Sequence, residues 1–338
     1  MTTSHTDATR PPVHAAAPGR LSLERMREAA RVIDPVFLDT PQMPADALSA
    51  QLGLHLTVKV ETLNPVRSFK GRGGSYYWHR RHEDVAVAVC ASAGNFGQAM
   101  AYGARRFGRR CAVYAATNAN PRKLARMREL GAEVRLHGGD FDTAKAEARR
   151  FAAASGFPFV EDGDAVEITE SYGTIAMELL RGEPPELVLV PVGNGALIAG
   201  IGTWLRASAP SIRVVGIVAE GAPAMMLSWQ AGRVVETPAT ATIADGIAVR
   251  IPVPVALADM RDTVDEIVAV SDDDIRGAMR VCLDEFGLVA ESAGAAAVAA
   301  AARHAGRWPG RRVAALITGG NIDPQHQAGL LAGERARA

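Results

Sequence analysis

SFKGRGG (residues 68–74) sets one lysine among glycines, a serine and a phenylalanine. The 338-residue chain has four lysines, Lys59, Lys70, Lys123 and Lys145, and arginine takes the other basic positions. On a solvated face arginine serves as well as lysine. A lysine kept in a glycine-rich run therefore calls for a task that guanidinium cannot do. An amine that sheds its proton becomes a nucleophile, whereas guanidinium stays charged. Arg72, two positions on, reads as a structural or interface charge. Lys70 leads the functional reading, and the rest of the chain must supply its electrophile.

Outward from this stretch, short apolar runs alternate with helical patterns. VAVAVC (85–90), CAVYAA (111–116), EVRL (133–136), LVLVPV (187–192), RVVGIVA (213–219) and VAALIT (313–318) read as strands. Between and around them, residues 21–33, 94–107, 120–131, 142–156, 171–180, 271–287 and 291–306 read as helices. Pro121 stands near a helix start, Gly131 and Gly156 are stops, and Ser271 caps a first turn of three aspartates. Alternation of this kind predicts mostly parallel sheets covered by helices on both faces. Two α/β lobes with a cleft between them follow.

Composition excludes several partners. Basic and acidic residues number 37 each, so no net field draws nucleic acid or an anionic membrane. Cys90, Cys111 and Cys282 are unclustered, which fits neither a disulfide framework nor a zinc site; Cys90 and Cys111 read as small core residues. No uninterrupted apolar run is long enough to span a bilayer. The first twenty residues are polar, lack the apolar core of a signal peptide and read as a disordered tail. A cytoplasmic protein is expected.

Three glycine-bearing turns fall just after predicted strands: ASAGNFGQ (91–98), PVGNGALIAG (191–200) and TGGNID (318–323). Ligands in open α/β sheets collect at such carboxyl ends. The second turn runs straight into a helix, and glycine amides at a helix start cradle an anion such as phosphate. It lacks the Lys and Ser/Thr of a Walker loop and does not match a dinucleotide fingerprint. Tight turns of a purely structural kind are the alternative. A reactive lysine beside a phosphate cradle, with no metal cluster, points to a phosphorylated aldehyde, and pyridoxal phosphate is one.

SFKGRGG, SAGNFGQ, PVGNGALIAG, ESAGA and TGGN occur here in the order found in pyridoxal-phosphate enzymes of the tryptophan synthase β-like fold. Over roughly residues 20–330 the chain resembles the serine/threonine dehydratase group of that fold. The resemblance implies a two-lobed α/β protein, each lobe a mostly parallel sheet flanked by helices. It implies a tail over 1–20, a large cofactor-binding domain over 21–85 and 170–338, and a small α/β domain over 86–169. Lys70 matches the Schiff-base lysine, Phe69 the aromatic beside the cofactor ring, and Asn95 the residue bonded to the ring hydroxyl. Gly193, Asn194, Gly195, Ala196 and Leu197 match the phosphate loop, and Thr318 the hydroxyl facing the pyridine nitrogen. Ser92, Ala93, Gly94 and Asn95 match the loop that receives the substrate carboxylate. From the residues alone, Ser68 and Asn95 could equally be helix caps, Phe69 core packing and Thr318 a strand end.

The activity so implied is elimination of water from a β-hydroxy amino acid, serine, threonine or a bulkier one, giving a 2-oxo acid and ammonia. An amino-acid racemase, a β-replacement synthase and a non-enzymatic binding protein are the alternatives. Racemising relatives carry a serine where Ala93 stands, which favours elimination. Phe96 stands where the dehydratase pattern has histidine, so apolar volume replaces a hydrogen bond and the substrate is open. Glu220 matches one acid of a divalent-cation site in some relatives, but Met226 stands where a second would be, and thioether suits a hard cation poorly. No metal is expected. The implied assembly is a homodimer acting on a small amino acid.

Overall fold

In the computed structural model, which describes residues 19–323 and 327–329, the strands gather into two sheets. The larger contains β1 (Gln42–Pro44), β2 (His55–Val60), β6 (Leu187–Pro191), β7 (Arg213–Ala219), β8 (Glu266–Val270) and β9 (Arg312–Ile317), in the order β1-β2-β9-β6-β7-β8. The smaller contains β3 (Val87–Ala91), β4 (Arg110–Ala115) and β5 (Glu133–Leu136), in chain order. Every pairing is parallel except β1 on β2. All five residues of β6 are buried, as a strand covered on both faces requires. The expected tail lies outside the described residues as far as position 18. Arg20, at its end, is held by hydrogen bonds to Asp259 and to the carbonyls of Gly163 and Asp164.

Helices cover both sheets. Around the smaller lie α4 (Asn95–Arg106), α5 (Pro121–Glu129) and α6 (Phe141–Ser155). The others are α1 (Leu23–Val32), α2 (Asp46–Leu52), α3 (Lys70–Arg81), α7 (Val166–Leu179), α8 (Ala196–Ser208), α9 (Ala224–Ala231), α10 (Pro254–Met260), α11 (Asp272–Phe286) and α12 (Ser292–His304). The predicted Ser271 cap forms, and Pro121 opens α5 as expected. Asn120 accepts from the amides that follow Pro121 in α5, and Ser271 and Asp274 make a reciprocal capping box on α11. Cys90 and Cys111 are buried in the apolar core. Among the described residues no helix is long and apolar enough to cross a membrane.

The glycine-rich opening stretch becomes the first turns of α3, which lies against α4. A Cβ on Gly74 would stand 2.2 Å from the carbonyl oxygen of Ala99, so only glycine lets the two backbones come this close. Helices bordering the two sheets are thereby joined.

The far side of α3 carries Arg72 into a fully buried ionic cluster. Its guanidinium donates to Glu61 at 2.8 and 2.9 Å, to Glu178 at 2.6 and 2.9 Å, to Thr174 at 2.9 Å and to Thr40 at 3.1 Å. Lys59, next to the end of β2, donates to Glu178 at 2.5 Å and to the Thr40 carbonyl at 2.7 Å. Two cations face two carboxylates with no exposed surface to speak of. Burial alone would raise the Glu178 carboxyl. The Arg72 hydrogen bond and charge, and then Lys59, outweigh it and bring the carboxyl down to about 2.

Removing one member of a buried set leaves the others uncompensated. Glu178→Gln is expected to cost about 3–5 kcal/mol of unfolding free energy at neutral pH, read from urea denaturation. Because the folded pKa lies below the ordinary 4.5, the Glu178 contribution is fully present above that pH and is lost as pH falls through about 2. The stability gap between wild type and E178Q should narrow across that window.

Candidate active site

The carboxyl ends of β3, β6 and β9 and the start of α3 open onto one cleft of about 890 Å³. Lys70, the first residue of α3, lines it. The helix start is tied to the end of β9, since Phe69 N–H donates to the Thr318 carbonyl at 3.1 Å and Ser68 bridges to Gly319. Ser68 Oγ accepts from the Lys70 amide at 3.3 Å, but the N-cap of α3 is Phe69 and no side chain caps the helix. Lys70 Nζ lies 4.6 Å from the Phe69 ring centre and 5.8 Å from that of Tyr172, and it pairs with the carboxylate of Asp162. The other Asp162 oxygen is buried without a partner.

After β6 the chain turns through Gly193, Asn194 and Gly195 into α8. Gly195 has φ of 100°, and a Cβ there would stand 2.6 Å from Met260 Sδ, so only glycine fits this turn. Gly193, Asn194, Gly195 and Leu197 line the cleft, whereas the Ala196 side chain is buried behind it. The amides of the first turn of a helix lack partners within it, and here they sit at the cleft wall. Asn194 Nδ2 donates to the Asp162 carbonyl and fixes this turn to the segment that faces Lys70.

After β3, the cap of α4 falls to Ser92. Its Oγ accepts from the amides of Gly94 at 3.1 Å and Gly97 at 2.9 Å. Asn95 is therefore not a cap. Its Nδ2 donates to Glu291 Oε1 at 2.6 Å, and its Oδ1 accepts from Asn321 Nδ2 at 2.8 Å. Glu291 is buried, its second oxygen has no partner, and burial pushes its carboxyl pKa up. Ser92, Ala93, Gly94, Asn95, Phe96 and Thr318 line the cleft together with Phe69 and Lys70. Phe96 also belongs to the apolar core behind the wall.

Asp162, Glu291 and Asn321 were not singled out from sequence. Asp162 sits in the acidic run EDGD, which resembles a solvated loop, and ESAGA reads first as a small-residue helix. Their orientation is set by tertiary contacts. Glu220 lies apart and pairs with Arg303 at 3.0 Å, and no cluster among the described residues is arranged to hold a metal ion.

A phosphorylated pyridine aldehyde fits these residues. The cleft holds an amine, a glycine-lined helix start, an asparagine fixed on both sides, and two buried carboxylate oxygens that lack a donor. The sequence pattern of the family described as pyridoxal-phosphate dependent enzyme matches residues 33–319. The chain belongs to this family.

Like other pyridoxal-phosphate dependent enzymes, it takes pyridoxal 5'-phosphate as cofactor. It is 35% identical over 306 residues to L-threonine ammonia-lyase of Thermotoga maritima, spanning 90% of this chain and 76% of that protein. Threonine deaminase isoform 2 of Solanum lycopersicum superposes with a TM-score of 0.84 at 28% identity, covering 97% of each chain. Maize serine racemase superposes with a TM-score of 0.86 at 25% identity, covering 93% of this chain and 97% of its own. The two-sheet architecture is thus the tryptophan synthase β-like fold, and it serves both chemistries.

Gly195→Ala tests the cradle. A side chain at positive φ costs about 1–2 kcal/mol before any clash. The variant is expected to keep the wild-type circular dichroism spectrum but to lose cofactor on dialysis, measured as bound pyridoxal phosphate per chain.

Proposed function

We propose that this enzyme is a lyase that removes water from a β-hydroxy amino acid to give a 2-oxo acid and ammonia, with Lys70 as its cofactor-bonding and catalytic residue. The observation that carries the reading is the Lys70 amine held by Asp162 in the cleft that also contains the phosphate turn and the Ser92–Asn95 loop. The deaminase and ammonia-lyase names of the similar proteins support it. When bound, pyridoxal phosphate supplies an aldehyde for the amine and an electron-withdrawing ring that acidifies the substrate Cα–H.

The chain's residues do the rest. Gly193–Leu197 would hold the phosphate group, and Asn95, fixed by Glu291 and Asn321, and Thr318 would contact the ring. The Ser92–Asn95 loop holds the substrate carboxylate. Lys70 Nζ takes the Cα proton at close range, and Asp162 steadies the ammonium so formed. Those electrons become the new C=C bond as the Cβ–O bond breaks, and the hydroxyl leaves as water with the proton that Lys70 returns, which restores the amine. The released enamine takes up one water and yields the 2-oxo acid and ammonia. Serine gives pyruvate and threonine gives 2-oxobutanoate.

Racemisation is the second reading, prompted by the likeness to maize serine racemase. It requires an acid on the opposite face of Cα. Ala93, on the cleft wall, has no proton to give, and this favours elimination. The homodimer and the division into domains 21–85 with 170–338 and 86–169 belong to the same reading. A single sedimenting species of twice the chain mass would agree with the dimer, and a monomer would not.

Holoenzyme incubated with L-serine, L-threonine and bulkier 3-hydroxy amino acids is expected to release 2-oxo acid and ammonia in equal amounts from at least one of them. Lys70→Arg should abolish this while leaving the fold intact, because guanidinium does not give up its proton. Inversion at Cα without 2-oxo acid would favour the racemase.

A further inference from the structure

One charged group of the cleft has no part in the chemistry above. Lys123, on α5, is mostly buried, and its ammonium lies 3.8 Å from where a Cβ on Gly94 would stand. It therefore faces the Ser92–Asn95 loop. Four cations line the cleft among the described residues: Lys70, Lys123, Lys145 and Arg250. Lys70 pairs with Asp162, Lys145 with Glu161, and Arg250 with Asp142. The three heavy atoms nearest to a Cβ built on Gly94 all belong to Lys123.

The present partner of Lys123 is Asp245, whose side chain is 60% exposed. A carboxylate with that much water around it gains little from an ion pair, so another anion can share or replace it. Burial would lower the Lys123 pKa, but Asp245, Glu291 and Asp323 together hold it above the ordinary value. The amine thus stays charged at neutral pH. On the loop itself, Ser92 Oγ already occupies the amides of Gly94 and Gly97. A carboxylate bound there keeps other first-turn amides of α4 but meets an apolar side chain at Phe96. Its countercharge must come from elsewhere, and an ammonium carries three donors.

We propose that Lys123 is the specificity residue that receives the substrate's α-carboxylate on the Ser92–Asn95 loop, with Asp245 as its partner when no substrate is bound. This rests on the elimination reading for the identity of the substrate, but not for its charge. The enzyme should accordingly reject carboxamides of amino acids it accepts.

The test uses holoenzyme and 2-aminoisobutyrate, which has neither an α-proton nor a β-hydroxyl to lose, alongside its carboxamide. Calorimetry gives the ratio of the two dissociation constants. A charge-assisted hydrogen bond predicts that wild type binds the acid about 10–100-fold more tightly than the amide. K123M should bring that ratio near one with cofactor content unchanged, K123R should keep part of it, and D245N should not diminish it. With a turned-over substrate, K123M should raise KM far more than it lowers kcat. An unchanged ratio in K123M overturns the proposal, as does a wild type without preference. Equal weakening of acid and amide by both K123M and D245N also overturns it, because the pair would then be only a strap between the two sides of the cleft. If the binding ratio behaves as expected while no 2-oxo acid is formed, Lys123 keeps its role and elimination is the reading that fails.

Discussion

Arg72 has no water around its guanidinium, so its acceptors must come from the protein. Glu61 follows β2, Thr40 precedes β1, and Thr174 and Glu178 stand on α7. Acceptors drawn from such separate parts leave α3 a single height and rotation at which every bond can form. Lys70 begins the same helix, and its amine reaches the cleft because that height is fixed. The lysine and arginine of SFKGRGG therefore carry opposite duties. The guanidinium holds its charge where loss of it would be ruinous, and the amine stands where releasing a proton is useful.

The cleft exists because three strand ends from two different sheets converge on the start of α3. The larger sheet brings the Gly193–Gly195 turn and Thr318, and the smaller brings the Ser92–Asn95 loop. The two sides also meet through ion pairs at the mouth, Arg250 with Asp142 and Lys123 with Asp245. Each includes at least one well-exposed partner, so each contributes about 0–1 kcal/mol. Such a mouth opens at small cost, which suits an amino acid that must enter and a 2-oxo acid that must leave.

Much of the fold was legible because covered parallel strands are continuous apolar runs. EVRL and RVVGIVA were read to the residue, β5 and β7. HLTVKV was not, since Lys59 interrupts its pattern; only the tertiary structure supplies the Glu178 that makes a buried lysine tolerable there. The three-residue β1 gives too few residues for a period to register, and β8 (EIVAV), which ends at the Ser271 cap of α11, was passed over. In the site, the glycine turns were visible because backbone demands restrict residue type. Asn95 was ambiguous because a cap and a ligand-facing amide look alike in sequence, and Ser92 took the cap. Asp162 and Glu291 escaped notice because nothing local distinguishes a carboxylate turned inward from a solvated one.

The chain's few lysines make its central claim directly measurable. Holoenzyme reduced with borohydride, which locks a cofactor–lysine bond, is digested with trypsin and mapped by mass spectrometry. The account predicts the cofactor's mass on the peptide spanning residues 68–72, at Lys70, in nearly every chain. Attachment at Lys59, Lys123 or Lys145 instead, or at none of the four, would contradict it.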